Sequence, residues 1–233
     1  MTRKRLVHSA AGALVVAGLG LAPIGAAYTQ TEPPGPDLKR GAVIVTQGNA
    51  RGALACAQCH ALNGASDGSG AFPRLAGQSS YYLSKQMRAF VSGDRVNAVM
   101  SPIAAALSSD EIADVSAYYA GVSAPFPPLP ATDAALVQRG RELASVGSAA
   151  KSLPACDNCH GPGGAGEPPA IPYLAGQYGP YIASELQMWQ RGTRKSSPEA
   201  MGQIAKRLDD QDIAAVAAYY QQVGGGADTV ASP

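Results

Sequence analysis

Apolar residues in the first half of the chain recur at helical spacing. Leu83, Met87 and Phe90 stand at i, i+4 and i+7, which places them on one face of a helix. We therefore predict a middle helix over residues 79–93, with Gly93 placed to end it. A matching face returns about a hundred residues later, formed by Ile182, Leu186 and Trp189.

Two further helices are predicted on either side of the middle helix. Residues 37–46 have an apolar side, although Gly41 is costly inside a helix unless another element packs closely against it. Ser108 and Glu111 have the spacing of a capping box, which predicts that a last helix begins near Ser108. Since no stretch alternates between apolar and polar residues as a half-buried strand does, the predicted fold class is all-α.

The whole pattern occurs twice. Pro73–Gln78 returns as Pro172–Gln177, and Leu107–Tyr119 returns as Leu208–Tyr220, at offsets between 99 and 101 residues. A repeat that covers most of the chain predicts two tandem domains of one fold. The predicted units are a signal peptide at 1–27, an N-terminal domain at 28–124, a proline-rich linker at 125–130, a C-terminal domain at 131–223 and a flexible tail at 224–233.

The first residues have the composition of an export signal. Arg3, Lys4 and Arg5 precede an Ala/Gly/Leu/Val-rich run over 9–27, which ends in small residues suited to a signal peptidase. Cleavage there predicts a periplasmic protein, and an uncleaved membrane anchor is the alternative. No other segment is long and apolar enough to cross a bilayer.

Composition and charge restrict the function classes. With 46% hydrophobic and 15% charged residues, the chain has the composition of a globular protein. Removal of the predicted signal peptide takes away three basic residues and no acidic one, so the formal net charge of +1 becomes −2. Because the chain has no basic tract, we expect no nucleic-acid partner.

The candidate chemistry lies in two pentapeptides. Cys56-Ala57-Gln58-Cys59-His60 is matched by Cys156-Asp157-Asn158-Cys159-His160, and together they use all four cysteines. C-x-x-C-H is the signature of c-type haem attachment, in which the cysteines form thioethers to the porphyrin and the histidine binds the iron. The predicted cofactors are therefore two covalently bound haem c groups. Cys56, Cys59, Cys156 and Cys159 are predicted to hold the porphyrins, and His60 and His160 the irons.

Three other roles for these cysteines are less consistent with the sequence. A zinc site would have to join motifs about a hundred residues apart, and it does not need the adjacent histidine. A thioredoxin-like redox pair is expected within a βαβ pattern, which is not present. Disulfides between such close cysteines would stabilise a chain of this length very little.

The second axial position of each iron has few candidates. Without His8 of the signal segment, the chain keeps only the two motif histidines, so histidine cannot fill it. Four methionines besides Met1 remain: Met87, Met100, Met188 and Met201. Met100 and Met201 follow the motif histidines by 40 and 41 residues, in segments expected to be loops, and are the predicted axial ligands. The alternative is that these two methionines only pack.

Pro73 and Pro172 follow the motif histidines by 13 and 12 residues. A ligating histidine normally donates its other ring N–H to a fixed acceptor, and the carbonyls of these prolines are candidates. A plain turn role for the prolines is the alternative.

The combination of these motifs resembles the di-haem cytochrome c4 family over roughly residues 38–222. Each half has C-x-x-C-H, P-x-L-A-G-Q, an aromatic-bearing middle helix ending in glycine, a downstream methionine and a last helix with Tyr-Tyr. The resemblance implies two class I cytochrome c domains, with Met100 and Met201 as axial ligands and Gly41 and Gly140 packed against the last helices. It also implies soluble or membrane-associated periplasmic proteins that pass electrons to terminal oxidases.

The predicted function is single-electron transfer in a periplasmic respiratory chain, without catalysis. Expected partners are a donor such as a quinol-oxidising complex or a dehydrogenase, and an acceptor such as a terminal oxidase. One alternative is a fixed electron-transfer subunit of a membrane dehydrogenase or oxidase complex. Another is a di-haem catalytic cytochrome with one open iron. Because the halves differ, for example in Phe90 against Trp189, unequal potentials are expected.

Overall fold

The computed structural model describes residues 35–126, 132–197 and 199–224. The predicted signal peptide, most of the predicted linker, Pro198 and nearly all of the predicted tail lie outside the described residues. Within these ranges every regular element is a helix, accompanied by three isolated bridges, so the predicted all-α fold class is confirmed. None of the helices described has the length and apolar composition needed to span a bilayer. The residue boundaries of the two domains stay predictions.

The helices of the two halves follow the same order. The first half contains α1 (Leu38–Gln47), α2 (Ala57–His60), α3 (Ser80–Ser92), α4 (Met100–Ala105) and α5 (Ser109–Gly121). The second half contains α6 (Ala134–Ser145), α7 (Asp157–His160), α8 (Gly179–Gln190), α9 (Met201–Ala205) and α10 (Asp210–Gln222). Short 3-10 helices lie at Ala149–Lys151 and Pro162–Gly164. The predicted first, middle and last helices are present in each half.

Local chemistry sets the helix ends. Gly93 ends α3 with a φ of 82°, a left-handed conformation that glycine adopts without strain. At the start of α5, the Ser108 hydroxyl accepts the N–H of Glu111 at 3.2 Å, and the Glu111 carboxylate accepts the N–H of Ser108 at 2.7 Å. Asp209 and Asp212 form the same reciprocal cap at the start of α10. The predicted capping box is therefore confirmed.

The sequence patterns did not reveal four short helices. α2 and α7 span four residues each, whereas α4 and α9 span six and five. Segments of less than two turns cannot display an apolar period. The expectation that Met100 and Met201 lie in loops is therefore wrong, because each is the first residue of a short helix.

The first and last helices of each half cross at a glycine. A Cβ atom at Gly41 of α1 would lie 2.6 Å from the carbonyl oxygen of Asp114 in α5. A Cβ atom at Gly140 of α6 would lie 2.0 Å from the carbonyl oxygen of Ala215 in α10. Neither crossing leaves room for a side chain, so the close packing expected against both glycines is confirmed.

An arginine beside each of these glycines joins the same pair of helices. Arg40 donates to the carboxylate of Asp114, and Arg139 donates to that of Asp212 at 2.6 Å. Both aspartates are buried. Because buried carboxylates have lost their hydration, these pairs supply the compensating charge.

The segment before the second C-x-x-C-H motif packs against the start of α10. Lys151 donates to the carboxylate of Asp212. In the first half, Arg51 pairs with Glu111 at the corresponding place on α5. Lys151 therefore ties this segment to the start of the last helix in the second half.

The predicted apolar faces form the two cores. Leu83 and Phe90 of α3 are buried, as are Ile112, Val115 and Tyr119 of α5. The buried counterparts in the second half are Ile182, Leu186, Trp189, Ile213, Val216 and Tyr220. The middle and last helices thus meet through the residues that carried the helical period.

The two P-x-L-A-G-Q segments contact each other across the boundary between the halves. The side-chain oxygen of Gln177 accepts the N–H of Arg74 at 2.8 Å, and its amide donates to the carbonyl of Arg74 at 3.0 Å. Gln78 donates to the carbonyl of Tyr173 at 3.4 Å. Since Tyr173 corresponds to Arg74 in the repeat, the contact is reciprocal, and the motif joins the two halves.

Candidate haem sites

Each C-x-x-C-H motif forms a single helical turn. The carbonyl of Cys56 accepts the N–H of His60 at 2.9 Å, and Cys156 and His160 repeat this bond at 3.0 Å. The turn directs the predicted attachment and ligand residues of each motif to one cavity. The histidines are buried, whereas the cysteines are partly or, for Cys159, largely exposed.

A proline carbonyl orients each histidine. Nδ1 of His60 lies 3.1 Å from the carbonyl oxygen of Pro73, and Nδ1 of His160 lies 2.9 Å from that of Pro172. Because a carbonyl can only accept, Nδ1 carries the proton and Nε2 keeps a lone pair for a metal. The predicted contacts of the two histidines with these carbonyls are confirmed.

Burial determines the protonation of the motif residues. Loss of hydration lowers the pKa of His60 and of His160, which favours the neutral imidazole that binds metals. Burial also raises the pKa of Cys56 and of Cys156 to about 11. A thioredoxin-like pair needs a lowered thiol pKa, so these cysteines do not fit that alternative.

A tyrosine of the last helix lies against each motif. The Tyr119 hydroxyl donates to the carbonyl of Ala61 at 3.2 Å, and its ring makes an edge contact with His60 at a centroid distance of 6.4 Å. The Tyr220 hydroxyl donates to the carboxylate of Asp157 at 2.7 Å. Burial raises the pKa of both phenols, so both stay neutral donors.

One cavity of about 850 Å³ extends through both halves. It is lined by both motifs and by apolar side chains of the middle and last helices. Met100 and Met201 reach it, but so do Met87 and Met188. The structure therefore brings each predicted ligand to the cavity together with a second methionine from the same half.

The residues fit haem c. Each motif offers two unpaired cysteines for thioethers and a histidine with a free Nε2, beside a cavity large enough for a sizeable cofactor. Within the described ranges, no three His, Cys, Asp or Glu side chains are grouped as a metal site of their own. The four motif cysteines are free of one another in the described ranges.

Sequence reasoning missed a polar group that lines the cavity between the two motifs. We name it the interface cluster, and it consists of Gln86, Arg95, Glu185 and Arg194. The backbones of Arg95 and Arg194 form an isolated antiparallel bridge. Both guanidinium groups donate to the carboxylate of Glu185, and the bond from Arg194 is 2.5 Å long. The Gln86 side-chain oxygen accepts from Arg95 at 3.2 Å and from Arg194 at 2.8 Å.

A signal for this cluster was present in the repeat. Arg95 and Arg194 correspond at an offset of 99 residues, and so do Gln86 and Glu185. Charged residues are seldom buried, however, so a matched pair of arginines resembled two surface residues. Their burial follows from the packing of the two halves against each other.

Comparison with protein families gives two matches along the chain. The cytochrome c family model matches residues 38–123 and 138–224. The matched regions contain one C-x-x-C-H motif each and cover most of the described residues.

Two relatives match across most of the chain. The thiosulfate dehydrogenase electron acceptor of Stutzerimonas stutzeri is 42% identical over 193 residues, which cover 79% of this chain and 86% of that protein. Cytochrome c4 of Pseudomonas aeruginosa is 37% identical over 177 residues, covering 75% of this chain and 86% of that one.

Two solved structures share the fold. Reduced cytochrome c4 from Pseudomonas stutzeri aligns with a TM-score of 0.70 and 28% identity over 81% of this chain and 99% of that chain. Thiosulfate dehydrogenase (TsdBA) from Marichromatium purpuratum aligns with a TM-score of 0.72 and 42% identity over 79% of this chain. This chain spans only 40% of the TsdBA chain.

Proposed function

Because the chain belongs to the di-haem cytochrome c4 family, we propose that it carries single electrons between redox proteins of the periplasm. It is a di-haem electron-transfer cytochrome with two covalently bound haem c groups. When bound, each haem supplies one-electron exchange between Fe(II) and Fe(III). A periplasmic location agrees with the predicted signal peptide at 1–27, and the mass of the mature protein would test it.

Histidine and methionine are the proposed axial ligands in each half. Nε2 of His60 and of His160 is left free by the proline carbonyls, which supports both as ligands. Met100 and Met201 are supported by their equivalent places, each being the first residue of the short helix before the last helix. A neutral thioether favours Fe(II) and raises the potential.

The other two methionines have a weaker claim. Met87 corresponds to Leu186 in the repeat, and Met188 corresponds to Ala89. A ligand at one of these positions would therefore have no match in the other half. Core packing does not separate the candidates, because Met87 packs against the core of the first half and Met201 against that of the second.

A thiosulfate dehydrogenase is the proposed electron donor, and a terminal oxidase the proposed final acceptor. The first proposal rests on the relative from Stutzerimonas stutzeri, which is named as the electron acceptor of such an enzyme and covers most of this chain. The observation that carries the wider function is the paired geometry, in which both oriented histidines line one cavity. With haem attached at both motifs, the two sites in one cavity would let one face a donor and the other an acceptor.

Reduction of the oxidised holoprotein in a stopped-flow spectrometer tests this function. We expect thiosulfate with catalytic amounts of a thiosulfate dehydrogenase to reduce both haems, and thiosulfate alone to reduce neither within the same time. Reduced protein should then be reoxidised by membranes that contain a terminal oxidase. If no dehydrogenase-dependent reduction occurs, the proposed donor is wrong.

A catalytic role is the second candidate function, and the match to TsdBA favours it because that structure is a thiosulfate dehydrogenase. Catalysis would require an iron with an exchangeable ligand. Sustained thiosulfate oxidation by this chain alone, with ferricyanide as the electron acceptor, would establish it. With methionine on both irons, we expect no such turnover.

A further inference from the structure

The interface cluster carries a net positive charge, which the aromatic faces of Phe90 and Trp189 partly offset at 4.5 and 3.8 Å from Arg95 and Arg194. Arg95 and Arg194 are 5% and 4% exposed, and among the residues that the structure describes both pair with one carboxylate, that of Glu185. The hydroxyls of Tyr181 and Tyr82 add contacts to the guanidinium groups at 2.8 and 3.2 Å without adding charge. Two buried cations that share one anion leave one positive charge in a poorly hydrated place, which is costly without a counter-ion.

One donor in the cluster has no acceptor. Nε of Arg95 is buried and makes no hydrogen bond within the described part of the chain. Buried donors nearly always have a partner, so a missing acceptor is expected beside it. Arg95 lines the cavity that both C-x-x-C-H motifs share, and the acceptor is therefore expected from what fills that cavity.

The charge of the cavity lining identifies the class of ligand. Among the described residues that line the cavity, Glu185 is the only acidic one. The basic lining residues are Arg74, Lys85, Arg95 and Arg194. A cavity with this excess of positive charge fits an anion, and a guanidinium presents parallel N–H donors that match a carboxylate. Each haem carries two propionate carboxylates on an otherwise apolar ring.

We propose that the interface cluster is a shared anion site that binds haem propionate carboxylates, with Arg95 and Arg194 as the donors. We further infer that the single carboxylate of Glu185 makes the two haem environments electrically unequal. The corresponding residue in the first half, Gln86, has the same shape and no charge. This inference rests on the two haems of the proposed function and adds the residues that fix their propionates and separate their potentials.

The sign of the effect follows from Coulomb's law. A negative charge near an iron stabilises Fe(III), so replacement of Glu185 by glutamine should raise the midpoint potentials. The exchange variant Gln86→Glu/Glu185→Gln keeps the total charge of the cluster but moves the carboxylate to the other half. It should therefore change the difference between the two midpoints more than their mean.

Spectroelectrochemical titration and resonance Raman spectroscopy of the holoprotein test the inference. The variants are Glu185→Gln, the exchange variant and Arg95→Lys, which keeps the charge but loses the Nε donor. We expect raised midpoints in Glu185→Gln, a changed difference in the exchange variant and shifted propionate bending modes in Arg95→Lys. Arg191→Gln, which removes an exposed arginine directly after α8, is the matched control and should leave all of these signals unchanged.

Unchanged midpoints in both Glu185→Gln and the exchange variant would overturn the inference, as would unchanged propionate modes in Arg95→Lys. If Arg95→Lys does not fold, the midpoints of Glu185→Gln and of the exchange variant decide whether the inference holds. Both variants should fold, because glutamine and glutamate have nearly the same shape. Haem content is measured separately by the pyridine haemochrome. Variants that carry two haems per chain and have unchanged midpoints would contradict the anion site but not the proposed function. A wild-type protein without haem would contradict the proposed function itself.

Discussion

Nδ1 of His160 lies 2.9 Å from the carbonyl oxygen of Pro172, so the ring proton of this histidine is held away from the metal position. His60 and Pro73 repeat the arrangement at 3.1 Å. Each imidazole is thereby fixed in one tautomer with Nε2 available, before any ligand on the opposite side of the iron is considered. The identity of that second ligand is the first matter to test.

Replacement of the proposed axial methionines should open one iron at a time. In Met100→Leu or Met201→Leu, we expect the weak red charge-transfer band of oxidised Fe–S(Met) to fall to about half, because one of two haems has lost its thioether. The potential of that haem should fall as well. Leucine fills a similar volume, so the fold should persist.

Met87→Leu and Met188→Leu are the matched controls for the axial methionines, because both residues line the same cavity. They should keep the full band and both potentials. A loss of the band in either control, with retention in Met100→Leu and Met201→Leu, would assign the ligands to the middle helices instead.

The helix crossings should be intolerant of a single methyl group. In Gly140→Ala, the added Cβ would meet a backbone oxygen at 2.0 Å, so we expect the free energy of unfolding to fall by about 1–3 kcal/mol. Gly41→Ala should cost less, because the corresponding distance is 2.6 Å. Urea unfolding of the holoprotein, followed by far-UV circular dichroism, measures both.

Gly121→Ala is the control for the glycine variants. Gly121 is the last residue of α5, and nothing lies within 4 Å of a Cβ added there. Its free energy of unfolding should equal that of the wild type or exceed it by about 0.5 kcal/mol, since alanine favours helix. Equal losses in all three variants would show that the crossings are not the sensitive points.

Acid stability should depend on Lys151. Burial opposes the charge of the Asp212 carboxylate, but hydrogen bonds from Lys151 and Arg139 outweigh it and lower the pKa of Asp212 below 3.8. A lowered folded-state pKa contributes stability above the unfolded-state value, and this contribution is lost as the pH falls through the folded-state value. Lys151→Met weakens the effect, so acid unfolding should begin at a higher pH.

Circular dichroism during acid titration measures this change, with Lys206→Met as a control that removes an exposed lysine after α9. Lys206→Met should unfold at the same pH as the wild type. If Lys151→Met and Lys206→Met both unfolded at the same pH as the wild type, the ion pair of Lys151 with Asp212 would have no role in acid stability.

The contact between the halves should depend on Gln177 more than on Gln78. Gln177→Leu leaves the buried N–H of Arg74 without its acceptor, at a cost of about 1–3 kcal/mol. The carbonyl of Arg74 keeps only the long contact from the Tyr173 hydroxyl at 3.4 Å, and the N–H of Tyr178 also loses its bond to Gln177. Hydrogen exchange at the Arg74 amide, followed by NMR, should accelerate at least about tenfold. Gln78→Leu loses one long bond across the boundary, at 3.4 Å, and a local bond from the N–H of Ser79, and neither involves the Arg74 amide, so its effect there should be smaller. Equal exchange rates in both variants would contradict this difference.

Much of the fold could be predicted from short-range patterns. The middle helix was identified from Leu83, Met87 and Phe90, and the start of α5 from Ser108 and Glu111, because side chains within one or two turns decide these features. The short helices α4 and α9 carry too few residues for a period, and tertiary contacts hold them. The same limit led to the wrong expectation of loops at Met100 and Met201.

The sequence by itself determined where haem is attached and that the attachment occurs twice, since C-x-x-C-H is complete within a single turn. Only the tertiary structure decided what surrounds the attachment. It brought the carbonyl of Pro73 to His60 and placed Arg95 against Glu185 from the other half, 90 positions along the chain. The contact of His60 with Pro73 could be anticipated from their spacing of 13 residues, whereas that of Arg95 with Glu185 depends on how the two domains close on each other, which no local spacing records.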